Sequence, residues 1–123
     1  MKAGNKTAGA RIRIVLEPDI AIGPGKADIL KGISETGSIA AAGRRMGMSY
    51  KRAWLLVESM NACFKAPLVE TSRGGQARGG ATLTPEGEQV LASYRRMEAL
   101  TADAIEGEMA VLRTMLADMS ART

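Results

Sequence analysis

Hydrophobic and polar positions change their spacing several times along the chain, and each change predicts a new element. Near the start, Arg and Ile alternate before a run of aliphatic residues, which is typical of a strand. Further on, apolar residues recur every three or four positions, which indicates helices with one buried face. The predicted elements are, in order, a strand at 11–17, helices at 26–35, 39–46 and 50–64, strands at 68–71 and 81–83, and a helix at 85–117.

Residues that start and stop helices stand at the borders of these segments. Gly37 and Gly47 suit the left-handed backbone that ends a helix or makes a tight turn. Ser38, Ser49 and Thr84 can each accept a hydrogen bond from a backbone N–H in the first turn of the following helix. Two short helices joined by a tight turn, followed by a β-hairpin, predict a winged helix-turn-helix in a fold that is mostly α with a small β component.

Small residues stand where this fold requires them. The two helices of a helix-turn-helix cross closely, and Ala42 and Gly43 allow that approach. The long last helix would leave an apolar stripe in water unless another helix covers it. We therefore predict three regions: a flexible N-terminal tail at 1–10, a winged helix-turn-helix DNA-binding domain at 11–84, and a long C-terminal helix at 85–123 that serves dimerisation.

The second helix of the predicted helix-turn-helix begins with polar and basic side chains. This end of the helix points at base edges in the DNA major groove. Arg52 can pair with guanine through two hydrogen bonds, worth about 1–3 kcal/mol of discrimination. The ordinary alternative is that Lys51 and Arg52 are solvated charges. The candidate DNA-binding residues are Ser38, Arg44, Arg45, Ser49, Tyr50, Lys51, Arg52, Arg73 and Arg78.

The candidates outside this helix have second interpretations. Arg44 and Arg45 can contact phosphate, or equally can favour the negative end of their own helix. Ser38 caps a helix on either interpretation, and that helix N-terminus can also hold a phosphate. Arg73 and Arg78 lie in a glycine-rich loop without acidic residues, which suits a wing that neutralises phosphate. The loop lacks the Gly-x-x-x-x-Gly-Lys-Ser/Thr pattern of a nucleotide-binding loop.

The C-terminal helix carries a heptad-like apolar stripe. Its positions are spaced 4, 3, 4 and 3, which favours a partner helix from the same chain or from a second copy. We expect a homodimer. The candidate dimer-interface residues are Ile105, Met109, Leu112, Leu116 and Met119.

Composition and charge narrow the function further. The chain has 123 residues, no His and one Cys, so the commonest general base is absent, and neither an internal disulfide nor a thiolate zinc site can form. We expect no enzyme activity, no metal, no membrane span and a cytoplasmic protein. The net charge is +4, but the charges are unevenly distributed: the N-terminal part of the chain is basic and the C-terminal part is acidic. The basic part suits a polyanion as partner, and the acidic part suits another protein. Trp54 is expected in the core, with base stacking as its alternative role, and Cys63 is expected to be a small buried side chain, with redox sensing as its alternative.

One continuous stretch and several shorter ones follow a familiar pattern. The continuous stretch runs from Gly37 to Trp54 and includes Ser-Tyr-Lys-Arg-Ala-Trp. The shorter ones are Gly23-Pro24-Gly25, Met60-Asn61, Pro67-Leu68-Val69 with Thr71, Gly74-Gly75 with Gly79-Gly80, and Leu83-Thr84-Pro85-Glu86-Gly87. Over about residues 11–105 the chain resembles the DNA-binding half of ModE-type molybdate-responsive transcriptional regulators. The Leu-Thr-Pro-x-Gly run is also similar to LysR-type regulators.

The resemblance implies a winged helix-turn-helix that dimerises through its helices and binds palindromic operators in double-stranded DNA. It also implies control of genes for molybdate uptake or molybdenum-cofactor use, and typical members carry C-terminal molybdate-binding domains. After Thr84 this chain offers one long helix, so we expect no cofactor and no molybdate binding by these residues. The alternative is a protein-interaction module that uses the winged helix and the acidic C-terminal helix without reading DNA.

Overall fold

In the computed structural model, which describes residues 9–72 and 80–117, the chain forms four helices and two β-hairpins. The elements are β1 (Ile14–Glu17), β2 (Ile20–Ile22), α1 (Pro24–Thr36), α2 (Ile39–Arg45), α3 (Tyr50–Cys63), β3 (Val69–Thr71), β4 (Ala81–Leu83) and α4 (Pro85–Thr114). The predicted fold class is confirmed: the protein is mostly α with a small β component, in the order of a winged helix-turn-helix with a long C-terminal helix.

The N-terminal prediction missed a strand. The segment predicted as one strand at 11–17 pairs with β2 as an antiparallel hairpin, and its regular part begins at Ile14. Asp19 makes the turn with a φ of 68°, a left-handed conformation that Asp adopts more readily than most residues. α1 begins at Pro24 rather than at residue 26, because the fixed φ of Pro suits the first position of a helix.

The main hydrophobic cluster lies where α1, α2 and α3 pack against the second hairpin. Gly32 and Ala42 bring α1 and α2 together, since a Cβ on Gly32 would stand 2.8 Å from the Ala42 Cβ. The buried residues of this cluster are Ile29, Leu30, Ile33, Ile39, Ala42, Ala53, Val57, Met60, Leu68, Val69 and Ala81. Trp54 is half-buried and packs against the cluster. The expectation of a buried Cys63 is wrong: its position in the last turn of α3 faces solvent.

The second hairpin is tied to the helices through hydrogen bonds to its backbone. Ala81 N–H donates to the Gly37 carbonyl over 2.9 Å, which joins β4 to the link between α1 and α2. On the other strand, the Asn61 side chain accepts from the N–H groups of Leu68 and Val69, at 2.8 and 3.1 Å, and donates to the Val69 carbonyl. The base of the hairpin is therefore held by α3 on one side and by the α1–α2 link on the other.

α4 starts in close contact with the chain that leads into β3. The Thr84 hydroxyl accepts from Gly87 N–H at 3.0 Å and donates to the Pro67 carbonyl at 2.7 Å, while Thr84 N–H donates to the Leu68 carbonyl. A Cβ on Gly87 would stand 2.1 Å from the Leu68 carbonyl oxygen. Gly87 is therefore needed for this approach, which explains why the glutamate or glutamine of a capping box is absent there.

A second, smaller cluster joins α4 to the first hairpin. Tyr94 is fully buried beside Ile22 and Ala27, and its hydroxyl donates to the Ile12 carbonyl at 2.6 Å. Burial raises the pKa of the Tyr94 phenol above its usual value. The first three turns of α4 are thus packed onto the rest of the fold.

Candidate nucleic-acid interface

The α2–turn–α3 unit has the geometry of a helix-turn-helix. Gly47 has a φ of 70°, and the N–H groups of Met46 and Met48 both donate to the Gly43 carbonyl. A Cβ on Gly43 would lie 2.9 Å from the Ala53 Cβ, so the two helices touch where the sequence places its smallest residues. This close crossing fixes the direction in which α3 leaves the turn.

The first turn of α3 is exposed and basic. Ser49 caps the helix by accepting from Arg52 N–H at 3.1 Å, and residues 49–52 are all exposed. No acidic residue stands in this turn. Tyr50 stacks on Trp54 one helical turn further on, with 6.5 Å between ring centroids. The four candidate residues of this turn therefore form one continuous surface of hydrogen-bond donors and positive charge.

The candidate residues at the two ends of α2 belong to the same helix-turn-helix but differ in their contacts. Arg44 is exposed in the last turn, next to Arg45. Arg45 forms an ion pair with Glu35 of α1, and this contact lowers the pKa of the Glu35 carboxyl. Ser38 accepts from Ala41 N–H at 3.0 Å and so caps α2. Its backbone also pairs with Gly80 at the base of the second hairpin, which brings the start of α2 beside the predicted wing.

Two predicted DNA-contacting residues, Arg73 and Arg78, lie outside the described residues. The strands that lead to and from their loop pair in register, with Val69 opposite Leu83 and Thr71 opposite Ala81. The wing prediction for these two arginines stays a prediction.

Of the predicted dimer residues, three lie in the part of α4 beyond its packed first turns, and Leu116 follows the end of α4. Ile105 and Met109 are half-buried, Leu112 and Leu116 are exposed, and Met119 lies outside the described residues. Large apolar side chains are prominent on this part of α4 and on the residues just after it. Those that are exposed are Leu100, Val111, Leu112, Met115 and Leu116. α4 continues through Gly107 and ends at Thr114, slightly before the predicted end at 117.

Three residues that shape this site or its support were not predicted from the sequence to do so. Asn61 and Gly87 hold the base of the wing. In the sequence, Asn61 is a polar residue on an apolar helix face, and Gly87 is a glycine two positions after a Pro that starts a helix. Lys26 lies with Arg13 and Arg52 around a groove beside α3. In the sequence, Lys26 is recognisable as a cation directly after Gly-Pro-Gly.

Residues 9–72 and 80–117 contain no group of three His, Cys, Asp or Glu side chains that could hold a metal ion. Over the same residues, no helix is both long and apolar enough to cross a membrane.

The fold and this site define a winged helix-turn-helix protein. Residues 27–88 match the model of the family described as "Bacterial regulatory helix-turn-helix protein, lysR family". The chain belongs to this family.

Curated relatives and solved structures agree with this assignment. The chain is 47% identical over 78 residues to the molybdenum-pterin-binding protein MopB of Rhodobacter capsulatus, covering 63% of this chain and 29% of MopB. It is 34% identical over 83 residues to the DNA-binding transcriptional dual regulator ModE of Escherichia coli K12, covering 68% of this chain and 32% of ModE. The predicted resemblance to ModE-type regulators is confirmed, although the chain spans only about a third of these relatives' length.

A solved structure shows the same fold. The crystal structure of the CbnR DNA-binding domain in complex with DNA superposes with a TM-score of 0.56 at 22% identity, over 72% of this chain and 95% of that one.

Proposed function

We propose that this protein is a sequence-specific DNA-binding transcriptional regulator that places the first turn of α3 in the major groove. The observation that carries the proposal is the exposed, acid-free turn at residues 49–52, held on a tightly packed helix-turn-helix. Lys51 and Arg52 stand at the positive end of the helix dipole, where cations lower helix stability. Binding to DNA compensates for this loss of helix stability, because phosphates and guanine edges accept hydrogen bonds from both side chains.

Arg44, together with Arg73 and Arg78 of the predicted wing, then supplies phosphate contacts. Such contacts fix the position of the helix on the duplex but carry no sequence information. Arg45 has a share in this role only if it leaves Glu35, so we expect it to contribute less than Arg44.

We further propose that the protein acts as a homodimer on palindromic operators. The motivation is the apolar stripe that runs along α4 and just past its end, where Leu112 and Leu116 are 60% and 70% exposed. A second copy of α4 would cover them, and two copies of α3 would then lie about 34 Å apart, one turn of DNA. In this arrangement residues 11–84 form the DNA-binding domain and residues 85–123 carry the dimer contacts.

The relatives suggest which genes are regulated. The names of MopB and ModE refer to molybdenum-pterin binding and to transcriptional regulation, respectively. We propose that the chain controls molybdate- or molybdenum-related genes in the cytoplasm. We also propose that its DNA binding needs no molybdate bound to these residues.

Fluorescence anisotropy with a labelled duplex tests the DNA-binding proposal. The duplex comes from the DNA upstream of the protein's own gene, a scrambled duplex is the reference, and both are titrated over a range of salt concentrations. We expect salt-dependent binding that favours the genomic duplex, and Arg52→Ala should reduce this preference about 5- to 150-fold per half-site. Lys65→Gln removes one exposed cation beyond the other end of α3 and should leave the preference unchanged. Equal, weak binding to both duplexes would refute sequence-specific recognition.

A protein-interaction module is the second candidate function, because the apolar surface of α4 also suits a different protein partner. On this alternative, Arg52→Ala leaves partner binding unchanged while Leu112→Glu abolishes it. Pull-down with the wild-type protein and both variants separates the two functions.

A further inference from the structure

A basic groove lies between the first hairpin, the start of α1 and the first half of α3. It encloses about 340 Å³, with Met48 and Leu56 among its apolar lining residues. Three cationic side chains line it: Arg13 before β1, Lys26 in the first turn of α1, and Arg52 in the first turn of α3. The groove therefore collects positive charge from three separate elements.

No acidic residue among the described residues lines this groove or stands in the first turn of α1. Lys26 Nζ donates to the Ala21 carbonyl at 2.8 Å, which holds the ammonium group in place and leaves two of its three N–H donors for other acceptors. Gly23 precedes α1 and has no side chain to cap it. The groove therefore has the charge to bind an anion, and none of the described residues supplies one there.

Arg52 connects this groove to the first turn of α3. We infer that the groove receives a backbone phosphate of the DNA whose bases α3 reads, with Arg13 and Lys26 as its ligands beside Arg52. This inference rests on the proposed function and adds the first hairpin and α1 to the DNA-binding surface. Because these residues contact phosphate rather than base edges, they raise affinity for every sequence equally.

Two variants test the inference. Arg13→Gln removes one charge from an exposed side chain of each protomer and should lower the affinity of the proposed dimer for genomic and scrambled duplexes alike, about 60-fold at 0.1 M salt. It should also reduce the slope of log K against log salt by about 1.8, the change expected when each protomer loses one phosphate contact. Lys65→Gln, which removes one charge at a distance from the groove, is the matched control.

Gly25→Glu is the second variant and separates charge from misfolding. A Cβ at Gly25 meets no atom within 4 Å, so the new side chain fits into open space. A carboxylate in the first turn of α1 favours the helix dipole and should maintain or raise the melting temperature. It should nevertheless weaken DNA binding tenfold or more at 0.1 M salt, while the neutral variant Gly25→Gln weakens it less.

The outcomes separate the inference from the function on which it rests. Failure of the wild-type protein to bind DNA would overturn both. Specific wild-type binding with unchanged affinity and salt slope in Arg13→Gln would overturn the groove alone. Inorganic phosphate is the probe for a free anion: if it perturbs the NMR signals of Gly25 and Lys26 in the wild-type protein but Gly25→Glu leaves DNA binding intact, the groove serves a free oxyanion and the DNA contact is refuted.

Discussion

Gly87 is the position where adding one methyl group should do most damage to the fold. In an exposed helix interior, Gly→Ala stabilises a protein by about 0.5–1 kcal/mol, because Ala lowers the conformational entropy of the unfolded chain. At Gly87 the added Cβ would stand 2.1 Å from the Leu68 carbonyl oxygen and 3.0 Å from its carbon. Both atoms belong to backbone, so α4 must move away from the chain before β3.

The size of the effect follows from the contacts that this movement disturbs. Overpacking costs about 1–3 kcal/mol. The hydrogen bonds from Thr84 to the Leu68 and Pro67 carbonyls contribute about 1 kcal/mol each when they are lost. After subtracting the helix-propensity gain, we expect Gly87→Ala to lower the free energy of unfolding by about 2–4 kcal/mol.

Gly107 is the control in the same helix, because a Cβ there meets nothing within 4 Å. Gly107→Ala should raise the free energy of unfolding by about 0.5–1 kcal/mol. Thermal unfolding followed by circular dichroism, at one fixed protein concentration, should therefore show shifts of opposite sign for the two variants. A Gly87→Ala protein as stable as wild type would refute the close contact between α4 and the chain before β3.

Three further variants test other contacts. Tyr94→Phe should lower the free energy of unfolding by about 1–2 kcal/mol at pH 7 through loss of the hydrogen bond to Ile12. Because burial raises the Tyr94 pKa, the folded state favours the neutral phenol. The stability that this gives is present below about pH 10 and is lost as the pH rises further. Urea titrations at pH 7 and 10.5 should therefore show a smaller loss of unfolding free energy at the higher pH in Tyr94→Phe than in wild type. Asn61→Ala should cost about 2–4 kcal/mol in urea unfolding, because three backbone groups lose their partner. Leu112→Glu with Leu116→Glu should convert the proposed dimer into a monomer in light scattering without lowering helix content, and an unchanged mass would remove α4 as the interface.

The sequence predicts the helix-turn-helix well because its rules are local. The left-handed turn needs a glycine, which Gly47 supplies, and a free N–H at the start of α3 needs an acceptor, which Ser49 supplies. Both requirements are visible within a few residues of sequence. The close approach at Gly43 is also predictable, since a tight crossing admits only small residues.

Contacts between distant segments could not be predicted in the same way. Tyr94 bonds to a carbonyl 82 residues earlier, and Gly87 touches the backbone before β3, so neither role is visible in local spacing. The β1–β2 hairpin was missed because its turn uses Asp19 with a positive φ instead of a glycine. Arg13 and Lys26 meet Arg52 only after the hairpin has folded against α1.

Selection of DNA from a random-sequence pool tests the central claim most directly. The wild-type protein and Arg52→Ala are each taken through repeated rounds of binding and amplification at physiological salt. We predict that wild type enriches a palindrome whose half-site centres lie about 10 base pairs apart, and that Arg52→Ala loses the preference at one base pair in each half-site. A wild-type pool with no enriched sequence, or one identical to the pool from Arg52→Ala, would contradict the reading of DNA by α3.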